Sequence, residues 1–284
     1  MKRIASADNP HYKALLKLAQ NARERKRQSR ALLDGVHLVE ACRDHCGKPE
    51  LIAVSDSGFE NPEIKTLLAP LEAKKLDSLS LRERVKGEGS GKLASIPKGV
   101  VEVLILADNL FKRLSTVETP TGILAVIAKP KPMASKLTET CILLEDIQDA
   151  GNLGSILRSA AAAGVKEVFL SKYSVDAWSP RVLRAGMGAH FLLNIHEDSD
   201  LIAVVRGFKG KVLAATQKAS KSLFDADLRG PAAFAFGNEG SGLSPEMLGA
   251  ADEAIAVPMA HDIESLNVAA AMAICLFERT RQLR

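Results

Sequence analysis

Three polar segments of the sequence, two of them rich in glycine, carry residue types that could bind a ligand or act on it. The first, EDIQDAGNLGSILRSA, places Asn152 and Arg158 in the opening turns of a predicted helix. Free N–H groups at a helix start bind anions, and an arginine close to that positive end is unfavourable unless an anion or an acid compensates it. Two interpretations stay open: an ion pair of Arg158 with Asp146 or Asp149, and an anionic ligand held by Arg158.

The second segment, FAFGNEGSGLSPE, follows an apolar strand and surrounds Glu239 with Gly237, Gly240 and Gly242. A strand-to-helix turn needs one glycine, so three indicate backbone that needs a positive φ or approaches something closely. Glu239 has a simpler interpretation as well, because its carboxylate could cap nearby N–H groups.

The third segment, Ser265-Leu266-Asn267, lies between the strand IAVPM and the last predicted helix. Ser265 or Asn267 would cap that helix. The run Ala269-Ala270-Ala271 favours a helix and also allows it to pack closely against another backbone.

The elements that must position these segments form an α/β pattern in which short apolar strands alternate with helices over residues 140–284. This alternation predicts a mostly parallel sheet with helices on both faces, and ligands bind such sheets where strands end and loops begin. Residues 128–140 contain three lysines and two prolines without apolar periodicity and predict a linker at 131–139, which makes residues 1–130 a separate, smaller α/β domain. Residues 82–99 of that domain are predicted to form a surface loop.

The charge is unevenly distributed along the chain. Residues 1–130 contain 22 Lys and Arg against 16 Asp and Glu, whereas residues 131–284 contain 16 against 18. The segment NARERKRQSR contains four arginines close together, namely Arg23, Arg25, Arg27 and Arg30. This run indicates either the solvated end of the first helix or a surface that binds a polyanion.

Other features limit the class of protein. The first residues, MKRIASADNPHYK, do not resemble a signal peptide, and no apolar stretch reaches 18 residues, so we expect a cytoplasmic protein without a membrane span. Cys42 and Cys46 have no second pair at zinc-binding spacing, so reduced thiols are favoured over a metal site. The glycine spacing after the strand that ends near Glu145 does not match the dinucleotide fingerprint.

Taken together and in this order, the three segments resemble the SpoU (TrmH-like) family of RNA ribose 2′-O-methyltransferases. The resemblance is strong over residues 140–284 and fainter over residues 1–130. The positions that match the family motifs are Asn152, Gly154 and Arg158 for Asn-x-Gly-x-x-x-Arg; Gly237, Glu239 and Gly242 for Gly-x-Glu-x-x-Gly; Val257-Pro258-Met259 and Ser265-Leu266-Asn267-Val268 for the third motif; and Arg184 within SPRVLRAGMGA.

The resemblance implies a C-terminal trefoil knot and a homodimer that binds S-adenosylmethionine. By resemblance, Gly237, Val257 and Leu266 line this cofactor, largely through main-chain groups. The resemblance also implies that residues 1–130 bind structured RNA, most plausibly 23S-type ribosomal RNA, with Arg23, Arg25, Arg27 and Arg30, together with Arg184, as the candidate contacts.

The expected reaction is methyl transfer to a ribose 2′-oxygen, with no metal. The family assigns Arg158 to this step, sometimes as a base, but a guanidinium ordinarily has a pKa above about 12 and is a poor base near neutrality. We therefore expect Arg158 to anchor a phosphate and stabilise the developing alkoxide. Four further residues would orient it and shape the pocket, and they complete the predicted catalytic set: Asn152, Glu239, Ser265 and Asn267.

Two positions depart from the family pattern. Val257 replaces an isoleucine and should be harmless, while His261 stands where glycine is common and alters the expected path of the cofactor loop. The alternatives are a transfer RNA methyltransferase and a non-catalytic RNA-binding or ribosome-assembly factor. A dinucleotide-dependent oxidoreductase is disfavoured by the absent fingerprint.

Overall fold

The computed structural model describes residues 1–69, 101–260 and 265–284. Within them the chain divides into two compact units, one of Met1–Pro130 with Trp178–Pro180 and one of Lys131–Ala177 with Arg181–Arg284. The surface loop predicted for residues 82–99 and the departure at His261 lie outside the described residues.

The N-terminal unit is built on a mixed five-stranded sheet with strand order β1-β4-β3-β5-β2, in which β5 runs antiparallel to its neighbours β2 and β3. Leu15, Leu18 and Phe111 of the helices pack with Leu104 and Leu124 of the strands in its core. The elements are β1 Lys2–Ile4, α1 Pro10–Gln20, α2 Ala22–Gln28, β2 Arg30–Asp34, α3 Val36–His45, β3 Leu51–Ser55, α4 over 62–69, β4 Glu102–Leu106, α5 Asp108–Leu114 and β5 Ile123–Ala128.

Helix α1 starts after Asn9, whose side chain accepts a hydrogen bond from the N–H of His11, with Pro10 in the first turn. The arginine-rich run, however, does not continue this helix. Asn21 has extended backbone, ends α1 and caps α2, so the run is split between a second short helix and the start of β2. Strand β1, at residues 2–4, was not predicted, because it is short and two of its three residues, Lys2 and Arg3, are charged.

The C-terminal unit contains one entirely parallel sheet of six strands in the order β11-β9-β10-β6-β7-β8. This confirms the predicted parallel sheet. Its elements are β6 Cys141–Leu144, α6 Ala150–Ala162, β7 Glu167–Leu170, α7 Pro180–Gly186, β8 Asn194–His196, α8 Leu201–Gly207, β9 Lys211–Ala215, β10 Ala232–Phe236, α9 Pro245–Ala250, β11 Glu253–Ile255 and α10 Val268–Gln282.

Strands β6 and β10 lie side by side at the centre of this sheet and are buried along their whole length. From β6 the chain moves through α6 to β7, while from β10 it moves through α9 to β11 on the other side. The order therefore reverses between β6 and β10, and a crevice at the carboxyl ends of such strands is where ligands bind in open α/β sheets.

One predicted strand is shorter than expected, since Ala189–Phe191 form a 3₁₀ turn and only Asn194–His196 pair with β7. In the part of the chain that the structure describes, no helix is long and apolar enough to cross a membrane.

Candidate active site

Glu239, in the loop after β10, reaches the loop after β6 and joins the two. Its carboxylate accepts hydrogen bonds from the N–H of Gln148 at 3.2 Å, the N–H of Asp149 at 3.1 Å and Asn152 Nδ2 at 3.0 Å. The motif residues Asn152 and Glu239, 87 positions apart in the chain, are therefore in direct contact.

These bonds engage part of the start of α6, where free N–H groups were expected to bind an anion. The Asp149 side chain caps the helix by accepting from the N–H of Asn152 at 2.7 Å, and Glu239 takes the two preceding N–H groups. The simpler interpretation of Glu239, as a cap for nearby N–H groups, matches the structure. The Glu239 carboxylate therefore supplies the negative charge that the N–H groups of this loop bind.

Asn267 brings the third segment to the same place. Its Nδ2 donates to Asn152 Oδ1 at 2.8 Å, while its Oδ1 accepts from the N–H groups of Ala269 and Ala270 and caps α10. Of the two candidate caps, Asn267 therefore fills the position, and Ser265 is exposed. Glu239, Asn152 and Asn267 together are called the three-loop network below.

The predicted close packing of the alanine run is only partly present. Ala269 is buried and Ala270 is exposed, although α10 as a whole packs against α6.

The ionisation of Glu239 follows from this network. Burial raises the pKa of Glu239, but the hydrogen bonds from Asn152 and from backbone N–H groups outweigh burial, so its pKa lies below the usual value. Glu239 is thus a carboxylate near neutrality. Because the Glu239 carboxylate is ionised and accepts hydrogen bonds from Gln148, Asp149 and Asn152, Glu239 is suited to hold the two loops together.

Residues that the motif argument missed hold the ends of β6, β7 and β10 together. Asp146 has a φ of +56°, a conformation that its local hydrogen bonds stabilise. Its carboxylate accepts from Ser171 Oγ at 2.5 Å, and its carbonyl accepts from Asn238 Nδ2 at 2.9 Å. The acids at the end of β6 were visible in the sequence, but their partners were not.

Glu145 performs a similar task for the loop after β10. Its carboxylate accepts from the N–H and the hydroxyl of Ser244, at 2.8 and 2.7 Å, and the Ser244 Oγ accepts from the N–H of Met247 to cap α9. The strand end Glu145-Asp146 therefore fixes both sides of this loop.

The glycines of the second segment have different roles. A Cβ on Gly237 would lie 2.1 Å from the carbonyl carbon of Gly242, and Gly242 has a φ of +71°. Asn238 and Gly242 also exchange two backbone hydrogen bonds, which close the loop on itself. Gly240 has neither constraint. The close backbone approach that the glycines predicted is thus between Gly237 and Gly242 of the same loop.

Gly154 is a packing position between two helices. A Cβ there would lie 2.4 Å from Ala185 Cβ and 2.8 Å from the Val182 carbonyl oxygen, so α6 and α7 approach too closely for a side chain. Arg184, exposed on α7, directly precedes Ala185. The absence of a side chain at Gly154 therefore sets the helix that carries Arg184 against the helix that carries Arg158.

Behind α7 lies a buried histidine. The Nε2 of His190 is 2.8 Å from the Ala177 carbonyl oxygen, and burial lowers the pKa of His190 to about 4, so the ring stays neutral at physiological pH. A Cβ on Gly186 would lie 2.6 Å from this ring. His190 thus supports α7 from within the core.

Arg158 is exposed on α6. Neither of the acids considered as its partner holds it, because Asp146 bonds Ser171 and Asp149 caps α6. In residues 1–69, 101–260 and 265–284, no ion pair or hydrogen bond engages the Arg158 guanidinium. Its charge is therefore available to a ligand.

The three positions expected to line the cofactor are Gly237, Val257 and Leu266. Val257 is partly buried and Leu266 is 37% exposed. Among the described residues, no hydrogen bond uses the N–H or carbonyl of any of the three. Peptide groups that the fold leaves unused are available to a polar ligand, and this fits a cofactor recognised through the main chain.

Comparison with known proteins bears on this arrangement. The profile of the SpoU rRNA Methylase family matches residues 139–277. A protein of Synechocystis, named as an uncharacterized tRNA/rRNA methyltransferase, is 33% identical over 288 residues and covers 98% of this chain and 93% of its own length. The chain belongs to the SpoU rRNA methylase family.

Two further relatives of this SpoU protein extend over its whole length. The 23S rRNA guanosine 2′-O-methyltransferase RlmP of Bacillus subtilis is 27% identical, and the match covers 98% of this chain and 98% of RlmP. The crystal structure of an AdoMet-bound rRNA methyltransferase from Sinorhizobium meliloti has a TM-score of 0.78 and 25% identity, covering 100% of this chain and 98% of that chain.

In the N-terminal unit of this SpoU chain, the structure corrects the prediction for two of the four arginines expected to contact RNA. Arg25 is 4% exposed and donates to the carbonyl oxygens of Leu18 and Ala19 at the end of α1. Arg30 forms an ion pair with Glu50 at 2.6 Å, and its side chain is 15% exposed. Both guanidinium groups are used by the fold.

The other two arginines remain on the surface. Arg27 pairs with Glu24 on α2, with 70% of its side chain exposed. Arg23 is also exposed on α2. The run therefore presents fewer cations to solvent than its sequence suggests.

A cavity of about 460 Å³ lies elsewhere in the C-terminal unit, between α8 and α9. Gly210 and Val212 place it at the amino end of β9, whereas the motif residues follow the carboxyl ends of β6 and β10. Its polar lining includes Asp252, which already accepts a hydrogen bond from the N–H of Val212. This cavity is separate from the candidate active site.

Proposed function

We propose that this protein transfers the methyl group of S-adenosylmethionine to a ribose 2′-hydroxyl of ribosomal RNA. The observation that carries the proposal is the three-loop network, in which Glu239, Asn152 and Asn267 hold three distant motif segments at the edge where β6 and β10 end. Family membership supplies the reaction class, and this edge supplies a place for it.

Gly237, Val257 and Leu266 are the proposed cofactor-binding residues, through their unused peptide groups. When bound, S-adenosylmethionine supplies a methyl group that its sulfonium already activates. The protein is then required to hold the nucleophile in place and to ease the loss of its proton.

Arg158 is the proposed catalytic residue. Its exposed guanidinium, which has no partner among the residues that the structure describes, can hold the phosphate next to the reacting ribose and stabilise negative charge that develops on the 2′-oxygen. Asn152, Glu239 and Asn267 are positioning residues in this proposal, because their polar atoms are engaged with one another and with backbone N–H groups. Ser265 is exposed beside Asn267 and is assigned to the wall of the pocket.

The proposed substrate is a large structured RNA of the 23S type. The name of the Bacillus relative, which is similar along the whole chain, supports this assignment. Arg23 and Arg27 in the N-terminal unit and Arg184 in the C-terminal unit are the proposed phosphate contacts, since all three are exposed. Such contacts give RNA affinity that falls with salt.

Three finer features belong to the same proposal. The packing of α10 against α6 and the bond from Asn267 to Asn152 support a C-terminal trefoil knot. The homodimer that the family resemblance implies is also part of the proposal, and Phe277, 48% exposed on α10, is a candidate contact. The proposed site of action is the cytoplasm.

The test is to incubate the enzyme with a labelled methyl donor and unmodified ribosomal RNA, and then to map the modified nucleotide. We expect a single 2′-O-methylated position, together with binding of S-adenosylmethionine but not NAD in calorimetry. Methylation of transfer RNA in place of ribosomal RNA would show that the proposed substrate is wrong and that transfer RNA is the substrate. Binding of RNA without methyl transfer would leave only a non-catalytic RNA-binding factor.

A further inference from the structure

Tyr173 presents an aromatic ring to solvent beside the candidate active site. It is one of two tyrosines in the chain. The other, Tyr12, is buried in the core of the N-terminal unit, whereas Tyr173 is 69% exposed. Single exposed apolar residues are common on proteins, so exposure by itself assigns no role.

The backbone of Tyr173 is attached to the loop that carries the site. Its carbonyl accepts a hydrogen bond from Gln148 Nε2 at 2.6 Å, and the N–H of Gln148 donates to Glu239. The N–H of Val175 donates to the carbonyl of Ile147 at 2.8 Å and forms a second connection between these loops. Tyr173 is thus two hydrogen bonds away from the three-loop network.

Positive charge accompanies this ring. Lys172 Nζ lies 5.7 Å from the centroid of the Tyr173 ring, within the range of a cation–π interaction. Lys172 and Arg158 are both exposed. An aromatic ring next to a cation is an arrangement with which proteins hold single-stranded nucleic acid, because bases stack on the ring and phosphates pair with the cation.

We propose that Tyr173 stacks on an unpaired RNA base at or next to the methylated nucleotide, and that Lys172 then contacts its phosphate. This inference rests on the proposed RNA substrate and adds a residue that the family motifs do not contain. Stacking would place the nucleotide relative to Arg158 without touching the cofactor. Tyr173 is therefore a substrate-positioning residue.

The experiment compares Tyr173→Ala with Tyr173→Phe, which keeps the ring and removes only the hydroxyl. With unmodified, protein-free ribosomal RNA, we expect kcat/KM of Tyr173→Ala to fall about tenfold or more, mainly through KM, which is the size of one lost base stack. Tyr173→Phe should match the wild type. Thermal stability and the affinity for S-adenosylmethionine should stay unchanged in both variants.

A second readout reports stacking directly. Once the methylated nucleotide of the wild type is mapped, an RNA fragment carrying 2-aminopurine at or beside that nucleotide is titrated with each variant. Stacking predicts quenching by the wild type and Tyr173→Phe, but not by Tyr173→Ala. Equal kinetics and quenching for Tyr173→Ala and the wild type would overturn this inference while leaving RNA methylation intact.

Two other outcomes also decide the matter. Loss of cofactor binding in Tyr173→Ala would show a structural role and overturn the stacking proposal. A defect of Tyr173→Ala only on ribosomal particles, and not on naked RNA, would point to a protein partner and overturn it as well. Failure of the wild type to methylate any RNA would instead refute the proposed function.

Discussion

The arginines of the two units have opposite fates. In the N-terminal unit, Arg25 and Arg30 lie within a strongly basic run, yet one caps α1 through carbonyl oxygens and the other pairs with Glu50. In the C-terminal unit, Arg158 and Arg184 lie outside any strongly basic run and are exposed in the fold. A cation is available to a ligand when the fold leaves it exposed, whatever the local charge density.

Carboxylates of the C-terminal unit teach the same lesson. Asp149 lies in the same motif segment as Arg158 and Glu239 in another, and backbone N–H groups and Asn152 donate hydrogen bonds to both carboxylates. Among the described residues, neither acid forms an ion pair with Arg158. The guanidinium of Arg158 is therefore left exposed.

The largest expected effect tests the role of the available cation. Arg158→Ala should lower the rate of methyl transfer by about 100-fold or more, since it removes charge stabilisation where charge develops. The affinity for S-adenosylmethionine, measured by calorimetry, should change little because Arg158 lies outside the proposed cofactor-binding residues. An equal loss of both would contradict the assignment. Arg158→Lys, which keeps the charge but not the fork, should retain part of the activity.

Gly154→Ala tests whether the contact of α6 with α7 positions Arg184. Its new Cβ would overlap Ala185 and the Val182 carbonyl oxygen, so we expect a loss of about 1–3 kcal/mol in the free energy of unfolding. Methylation should fall with it. Gly249→Ala is the matched control, because Gly249 also lies in a helix but a Cβ there meets nothing within 4 Å. If Gly154→Ala is as stable as Gly249→Ala, the packing argument is wrong.

Arg25→Ala and Arg23→Ala separate a structural arginine from a surface one in the same helix. Arg25→Ala leaves the Leu18 and Ala19 carbonyl oxygens without this donor and should cost about 1–3 kcal/mol in chemical denaturation. Arg23→Ala should stay within about 0.5 kcal/mol of the wild type. Similar stability for both variants would refute the structural role of Arg25.

Stability should also depend on pH through Glu239, in a direction that its lowered pKa fixes. A carboxylate whose folded pKa is below its unfolded pKa stabilises the protein above the unfolded value of about 4.3, and this contribution is lost as pH falls through the folded pKa. Thermal unfolding between pH 7 and 3 should therefore show a steeper decline for the wild type than for Glu239→Gln. Parallel profiles would mean that the network does not depend on the charge of Glu239.

The smallest effect concerns RNA affinity. The double variant Arg23→Ala/Arg27→Ala should bind ribosomal RNA more weakly and reduce the salt slope of binding by about 1–2. Arg30→Ala should leave that slope unchanged because only 15% of the Arg30 side chain is exposed, against 70% for Arg27. Salt titrations of RNA binding distinguish the two sets, and a slope that falls only in Arg30→Ala would reverse the assignment.

Much of the fold was predictable because it depends on local patterns. The apolar runs Cys141–Leu144 and Ala232–Phe236 read as buried parallel strands, and Asn9-Pro10 and Ser244-Pro245 read as helix starts. The break at Asn21 was missed, since asparagine within a polar run gives no clear signal to end one helix and begin another. The strand β1 was missed because its partner, β4, is distant in sequence.

The sequence by itself determined which segments carry the chemistry, since glycine, asparagine and arginine at motif spacing identify the family and its reaction. Only the tertiary structure decided what each polar group does. It gave the N–H groups before α6 to Glu239, linked Asn152 to Asn267, and used Arg25 and Arg30 while leaving Arg158 exposed. The reason is physical: residue types fix which donors and acceptors exist, but their partners lie up to 115 positions away and are chosen by the strand order that brings them together.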